Sequence, residues 1–253
     1  MRSHLTGLWF AVISVLALAC SSLALAQAPA PKAVKPDPPI PSQDLSGIWG
    51  GVRGGPAVLR ADKIPPMTPA AQAKFDENTA EEKKGLPITK DPAFNCLPAG
   101  VPHTFQNGAF AFEIVQTPKR IFILYESAHN WREIWMDGRQ IPKDGDPTWM
   151  GYSVGHWDGN DLVVESGNFN DRTWLDPLGH PHSDALHVTE RFHRPTYSSL
   201  QMEFKIDDPK SYTQPWTMKT DFKLRPGWEI GESFCLPEDS DNFEKKILQP
   251  NAK

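Results

Sequence analysis

LQMEFKI, residues 200–206, alternates without a break: Leu200, Met202, Phe204 and Ile206 are apolar, while Gln201, Glu203 and Lys205 are polar. Successive side chains of a strand point to opposite faces, so the segment predicts a β-strand with one buried and one wet face. WTMKTDFKL, residues 216–224, repeats the pattern, with Trp216, Met218, Thr220, Phe222 and Leu224 opposing Thr217, Lys219, Asp221 and Lys223. Outward from this pair, runs rich in β-branched and aromatic residues recur from Phe105 onward, divided by turn signals about every ten to fifteen residues. They predict further strands at Ala109–Gln116, Arg120–Ser127, Trp131–Asp137, Ser153–Trp157, Leu162–Gly167 and Ala185–His193. Asp137-Gly138 and Asp158-Gly159 read as tight hairpin turns in which glycine supplies the positive φ. No alternation of strands and helices is long enough for parallel crossovers, so the expected sheet is antiparallel and meandering. Eight such strands with no helical layer hide their edges most simply by closing. The expected fold is mainly β, an antiparallel lipocalin-like barrel, with a β-sandwich as the alternative. One N-terminal helix is expected in PPMTPAAQAKFDENTAEEKKG, capped by Thr68 with Pro69 in its first turn.

The chain's 253 residues suit one domain, spanning 45–240 and opening with a short glycine-punctuated strand in DLSGIWGGVRGG. Residues 1–26 combine a basic start at Arg2, an apolar stretch from Leu8 to Ala19 and small residues at Ala24 and Ala26, the pattern of a secretory signal peptide. Ser14, Ser21 and Ser22 interrupt the run before it reaches the roughly 18 to 20 apolar residues of a membrane span. A lipid anchor on Cys20 is the minority alternative. Residues 27–44 are proline-rich and predict an extended linker, and 241–253 form a C-terminal tail. Export leaves Cys96 and Cys235 in an oxidising compartment, where one disulfide is expected, two buried thiols being the other possibility. A net charge of −5 without a basic cluster points away from nucleic acid and anionic membranes, and toward a small organic molecule as partner. No integral membrane segment remains after processing.

Three stretches carry chemistry-bearing side chains. GHPHSDALHVTERFHR, 179–194, holds four of the eight histidines. Strand parity sets Ala185, His187, Thr189, Arg191 and His193 against Leu186, Val188, Glu190 and Phe192, so Glu190 interrupts an apolar face. A buried carboxylate requires a cationic partner or serves as a proton donor. In ESAHNWREIWMDGR, parity groups His129, Trp131, Glu133, Trp135 and Asp137 opposite Asn130, Arg132, Ile134 and Met136. Aromatic walls around a few polar groups describe a ligand pocket. The third stretch, 153–183, offers His156 before a turn and Asn168, Asn170, Asp171, Arg172 and Trp174 in a connector too polar for a core. Together these give candidate catalytic residues His129, Arg132, Glu133, His156, His187, Glu190 and Arg191, and candidate ligand-binding residues Trp131, Trp135, Asp171, Trp174, His182 and Ser183.

No cofactor is expected. Zinc through His180, His182 and His187, with Glu190 or Asp184, is the minority alternative, since the chain has no HExxH or CxxC pair. A serine triad at Ser183 lacks a GxSxG elbow, and GIWGGVRGG lacks the context of a nucleotide site.

The runs GHWDGNDLVVES, FNDRTWLDPLGHPHSDALHVTERFHRP and IDDPKSYTQPW resemble a family of uncharacterised secreted bacterial proteins that share GHWEGDTLVV- and GxPHSxxLHVTERF-like text. The resemblance spans roughly 45 to 238 and implies a shared fold and export. It implies no activity. Asn160-Asp161 stands where the family has an acid followed by threonine.

The leading functional expectation is an exported enzyme performing general acid–base chemistry of lyase, isomerase, hydratase or hydrolase type in a tryptophan-lined pocket. His129 and His187 are its bases, Glu190 and Glu133 its acids or orienting partners, and Arg132 and Arg191 its anion stabilisers. The alternative is a non-catalytic periplasmic barrel binding a small ligand.

Overall fold

In the computed structural model, residues 38–50, 60–61, 65–84, 90–106 and 110–236 are described. The strands are β1 (Gly47–Gly50), β2 (Arg60–Ala61), β3 (Ala111–Gln116), β4 (Arg120–Tyr125), β5 (Trp131–Trp135), β6 (Tyr152–Asp158), β7 (Asp161–Gly167), β8 (His187–Thr196), β9 (Ser199–Asp207) and β10 (Trp216–Leu224). The alternating segments pair as their pattern requires: β9 and β10 run antiparallel, with Met218 opposite Phe204 and Phe222 opposite Leu200. Their apolar positions are buried and their polar ones face outward. The sheet continues in the order β1-β3-β4-β5-β6-β7-β8-β9-β10, and β1 pairs with β10, closing a nine-stranded barrel. β2 adds to the free part of the same β10 edge. The fold is therefore mainly β and barrel-shaped, as the alternation predicts.

One pairing departs from the expected meander. β5 and β6 are parallel, with Ile134 opposite Ser153 and Trp135 opposite Val154. Gly138 does take a positive φ of 80°, but the turn at Asp137-Gly138 opens no hairpin. The chain instead returns through residues 136–151 before entering β6, because a parallel neighbour must be reached from the opposite end of the sheet. Asp158-Gly159 behaves as expected, with Gly159 at φ 63° and Asp158 paired with Asp161.

Among the described residues the one α-helix is α1 (Pro69–Asn78). Thr68 caps it by accepting a hydrogen bond from the Ala71 amide, and proline occupies its first turn. The signal-peptide segment, most of the proline-rich linker and the C-terminal tail lie outside the described residues. The linker's last residues dock on the β6–β7 turn: Ser42 Oγ donates to Asn160 Oδ1 at 2.9 Å and Gln43 Nε2 to the Gly159 carbonyl at 3.1 Å.

The barrel interior is a packed core. Ile114, Ile121, Ile123, Ile134, Leu162, Val164, Val188, Phe192, Phe204 and Met218 contribute to one buried cluster. The 3-10 turn His103–Phe105 inserts Phe105 among Phe112, Tyr125, Phe192, Phe204 and Phe222, with ring centroids 5.2–6.3 Å away. Cys96 and Cys235 form the expected disulfide, with Cα atoms 5.3 Å apart. It ties the segment after β10 to the segment leading into that turn.

Candidate functional site

Strand parity is obeyed in β8, and Glu190 points inward with no exposed surface. Its cationic partner is Arg132 of β5, whose Nη1 donates to Glu190 Oε1 at 2.9 Å while Nη2 pairs with Oε2. Arg132 Nε also donates to Ser153 Oγ at 3.0 Å, and Nη2 to Ser166 Oγ at 2.7 Å. Burial works against the charge on Arg132, but the adjacent carboxylate outweighs it and holds the guanidinium above its ordinary pKa. Burial beside this pair pushes the Tyr125 hydroxyl well above the usual phenol range. The hydrogen-bonded network spans β5 to β8 inside the wall, with Tyr125 of β4 beside it, and satisfies both charges internally.

The other sequence candidates lie elsewhere. Trp131, Glu133 and Trp135 occupy the opposite face of β5. Trp131 is 57% exposed, Glu133 pairs with Arg120 at 3.0 Å, and Trp135 lies under the guanidinium groups of Arg120 and Arg139 at 4.2 and 3.5 Å. The tryptophan face of β5 thus looks outward, away from Arg132 and Glu190. Arg191 also points outward, bonded to Asp158 and Asp161 at 2.8 Å each. His156 and Asp171 are exposed. His129 closes the 3-10 turn Ser127–His129, and its side chain lies outside the described residues. His187, with Lys143, Glu165 and Asp184, lines an outer cavity of about 420 Å³ formed where residues 140–143 of the β5–β6 connection cross the wall.

The β7–β8 connection carries the remaining candidates and folds over one end of the barrel. Trp174 is buried. His182 is buried, its Nε2 2.6 Å from Thr173 Oγ1 and its Nδ1 3.1 Å from the Ser183 carbonyl. Burial holds its pKa below the ordinary imidazole value. His180 Nδ1 lies 2.6 Å from Asp176 Oδ2, and its ring stacks on Phe75 of α1. Ser183 bonds Asp208 through both its amide and its hydroxyl. His180, His182 and His187 therefore serve three separate surroundings. Among the described residues no group of three or more His, Cys, Asp or Glu side chains could hold a metal.

A cavity of about 480 Å³ opens at that end, between the segment 91–106, the turn at 127–130 and the Ser233–Leu236 segment held by the disulfide. Its walls include Phe94, Leu97, Phe110 and Phe234, and the ionisable groups among the described lining residues are Asp91 and His103. His103 is 6% exposed. Its Nδ1 is buried without a hydrogen-bond partner, and its Nε2 stands 3.5 Å from Asp91 Oδ2. Burial holds the imidazole below its usual pKa against the pull of Asp91, Asp176 and the nearby Trp174 backbone. Burial likewise raises Asp91, with repulsion from Asp176 adding to it and His103 and the Ala93 amide opposing it. The site is therefore a neutral imidazole beside a poorly paired carboxyl group in a largely apolar hollow. That combination suits ligand capture or proton transfer.

The placement of this hollow follows from close packing of two connectors. Gly100, at φ 77°, lies so near Thr173 that a Cβ would meet its Oγ1 at 2.5 Å. Gln106 Nε2 donates to the Leu175 carbonyl at 2.9 Å. Sequence reasoning passed over Asp91, His103 and Gln106, because the proline-broken run DPAFNCLPAGVPHTFQ has no periodicity to orient them. The available signal was Cys96, which pins that run to the end of the barrel domain.

No protein-family model matches the chain, and no curated protein sequence matches it. Among solved structures, it is similar to a secretory abundant heat soluble (SAHS) protein from Ramazzottius varieornatus. Sequence identity is 12% and the TM-score 0.33, over 73% of this chain and 100% of that one.

Proposed function

We propose that the protein is an exported β-barrel that binds a small, largely apolar molecule in the cavity at the disulfide-bearing end. The observation that carries this reading is the buried His103 on the cavity wall, whose Nδ1 makes no well-formed hydrogen bond, with Asp91 beside it held by the Ala93 amide but by no lysine or arginine. A buried polar group left unsatisfied costs about 1–3 kcal/mol, and an incoming ligand can supply the missing bond. The cavity volume falls in the range of about 300–1,000 Å³ usual for small-ligand sites. The packed lumen offers no comparable opening around Arg132 and Glu190, whose charges already answer each other. Export is supported by the disulfide, the signal-like first 26 residues and the resemblance to secreted bacterial proteins.

Titration with N-phenyl-1-naphthylamine, whose fluorescence rises in apolar surroundings, tests this. Saturable one-to-one enhancement is expected, and Ala99→Trp, which fills the cavity, abolishes it. Unchanged enhancement in a folded Ala99→Trp protein would place any binding elsewhere.

A second reading, acid–base catalysis, is favoured by one feature: His103 Nε2 faces Asp91 within the same hollow. In it His103 is the base and Asp91 its orienting partner, the roles that sequence reasoning gave to His129, His187, Glu133 and Glu190. Turnover lost in His103→Gln with binding retained separates this reading from simple carriage.

A further inference from the structure

We infer that the end cavity takes an organic cation, a small apolar molecule ending in a protonated amine whose head sits at Asp91. The inference rests on the reading of this cavity as a ligand site. Three observations carry it. First, Asp91 and His103 are the ionisable groups among the described lining residues, and no lysine or arginine joins them. Lys90, next in sequence, is exposed and acts on Glu77 instead. Second, among the described residues Asp91 has only a weak countercharge. Asp176 repels it, and His103, the one ionisable group that draws its pKa down, is itself held toward the neutral form by burial. A carboxylate with an exposed fraction of only 13% and, among the described lining residues, no lysine or arginine beside it gains most from a ligand that brings a full positive charge. Third, Phe94, Phe110 and Phe234 line the same space, and aromatic faces attract an ammonium group while repelling a carboxylate.

Three probes of one shape separate the possibilities: naphthalen-2-ylmethanamine, naphthalen-2-ylmethanol and naphthalene-2-carboxylate, measured by equilibrium dialysis against the disulfide-intact protein at neutral pH. The amine is expected to bind at least tenfold more tightly than the carboxylate, with the alcohol between them. Asp91→Asn brings the amine down to the level of the alcohol. The inference is overturned if the carboxylate binds as well as the amine, or if the amine keeps its advantage in folded Asp91→Asn. The wild-type order is decisive even if that variant does not fold. Should none of the three bind, the ligand-site reading itself fails, a result distinct from loss of the charge preference.

Discussion

Removing the Glu190 charge while Arg132 stays in place leaves a guanidinium inside the barrel wall with only the Ser153 and Ser166 hydroxyls and the neighbouring Tyr125 phenol for company. Breaking a buried pair from one side costs about 3–5 kcal/mol, whereas replacing both partners with apolar groups of similar volume is often neutral. Glu190→Gln is therefore expected to lower the urea-unfolding free energy by about that amount, and Arg132→Met with Glu190→Leu to recover most of it. Equal losses in the single and double variants would show that the pair is not a closed unit. The buried imidazoles set a second expectation. Burial holds His103 and His182 below the ordinary value of 6.5, so on acidification the unfolded chain takes up these protons before the folded one. The contribution of the neutral rings is complete above about pH 6.5 and lost as pH falls toward their folded values. Asp91, raised above 3.8, acts in the opposite sense, its penalty shrinking as it protonates in acid. The urea midpoint should fall between about pH 7.5 and 5.5, and His182→Gln should flatten that slope. A midpoint independent of pH in the wild type would count against neutral buried imidazoles.

At the scale of elements, the β7–β8 connection and the segment 91–106 form an end cap that depends on a single covalent tie. The disulfide closes a sequence separation of 139 residues, worth roughly 4–5 kcal/mol in the chain-entropy account. Cys96→Ser with Cys235→Ser is expected to lose up to that amount in unfolding free energy. It should also lose N-phenyl-1-naphthylamine binding, because Phe234 and Leu236 are walls of the cavity. Retained binding in the folded double variant would mean that the wall stands without its tie. The strands themselves were largely legible: the apolar parity of Leu200–Ile206 predicts β9 and its neighbours, and parity marks Glu190 as an inward carboxylate that needs a cationic partner or serves as a proton donor, of which the structure supplies the partner. The inward face of β5 was not. Two tryptophans offer more apolar surface than Arg132 and Ile134, yet the arginine goes in because Glu190, Ser153 and Ser166 await it, while Trp135 is covered from outside by arginines. Asp91 and His103 escaped for a different reason. Their orientation is set by contacts with a connector some seventy residues away, as in Gln106 with Leu175, and no local period encodes such a contact.

For the whole molecule, the wall is unevenly joined. β8 pairs along most of its length with β9, and β9 with β10. β5 and β6 share only Ile134–Ser153 and Trp135–Val154, and β1 meets β10 only at Trp49–Leu224 and Gly50–Lys223. Amide hydrogen exchange is expected to be slowest in β8 through β10 and faster in β1 and β5, because openings begin where the ladder is shortest. Uniform protection around the ring would contradict that view. The parallel join follows from counting. Strands that alternate up and down around a closed ring must be even in number, and with nine, one neighbouring pair has to share a direction. Gain or loss of a complete hairpin changes the tally by two and leaves it odd. Such a change can move the join between β5 and β6, but only the addition or removal of a lone strand can abolish it.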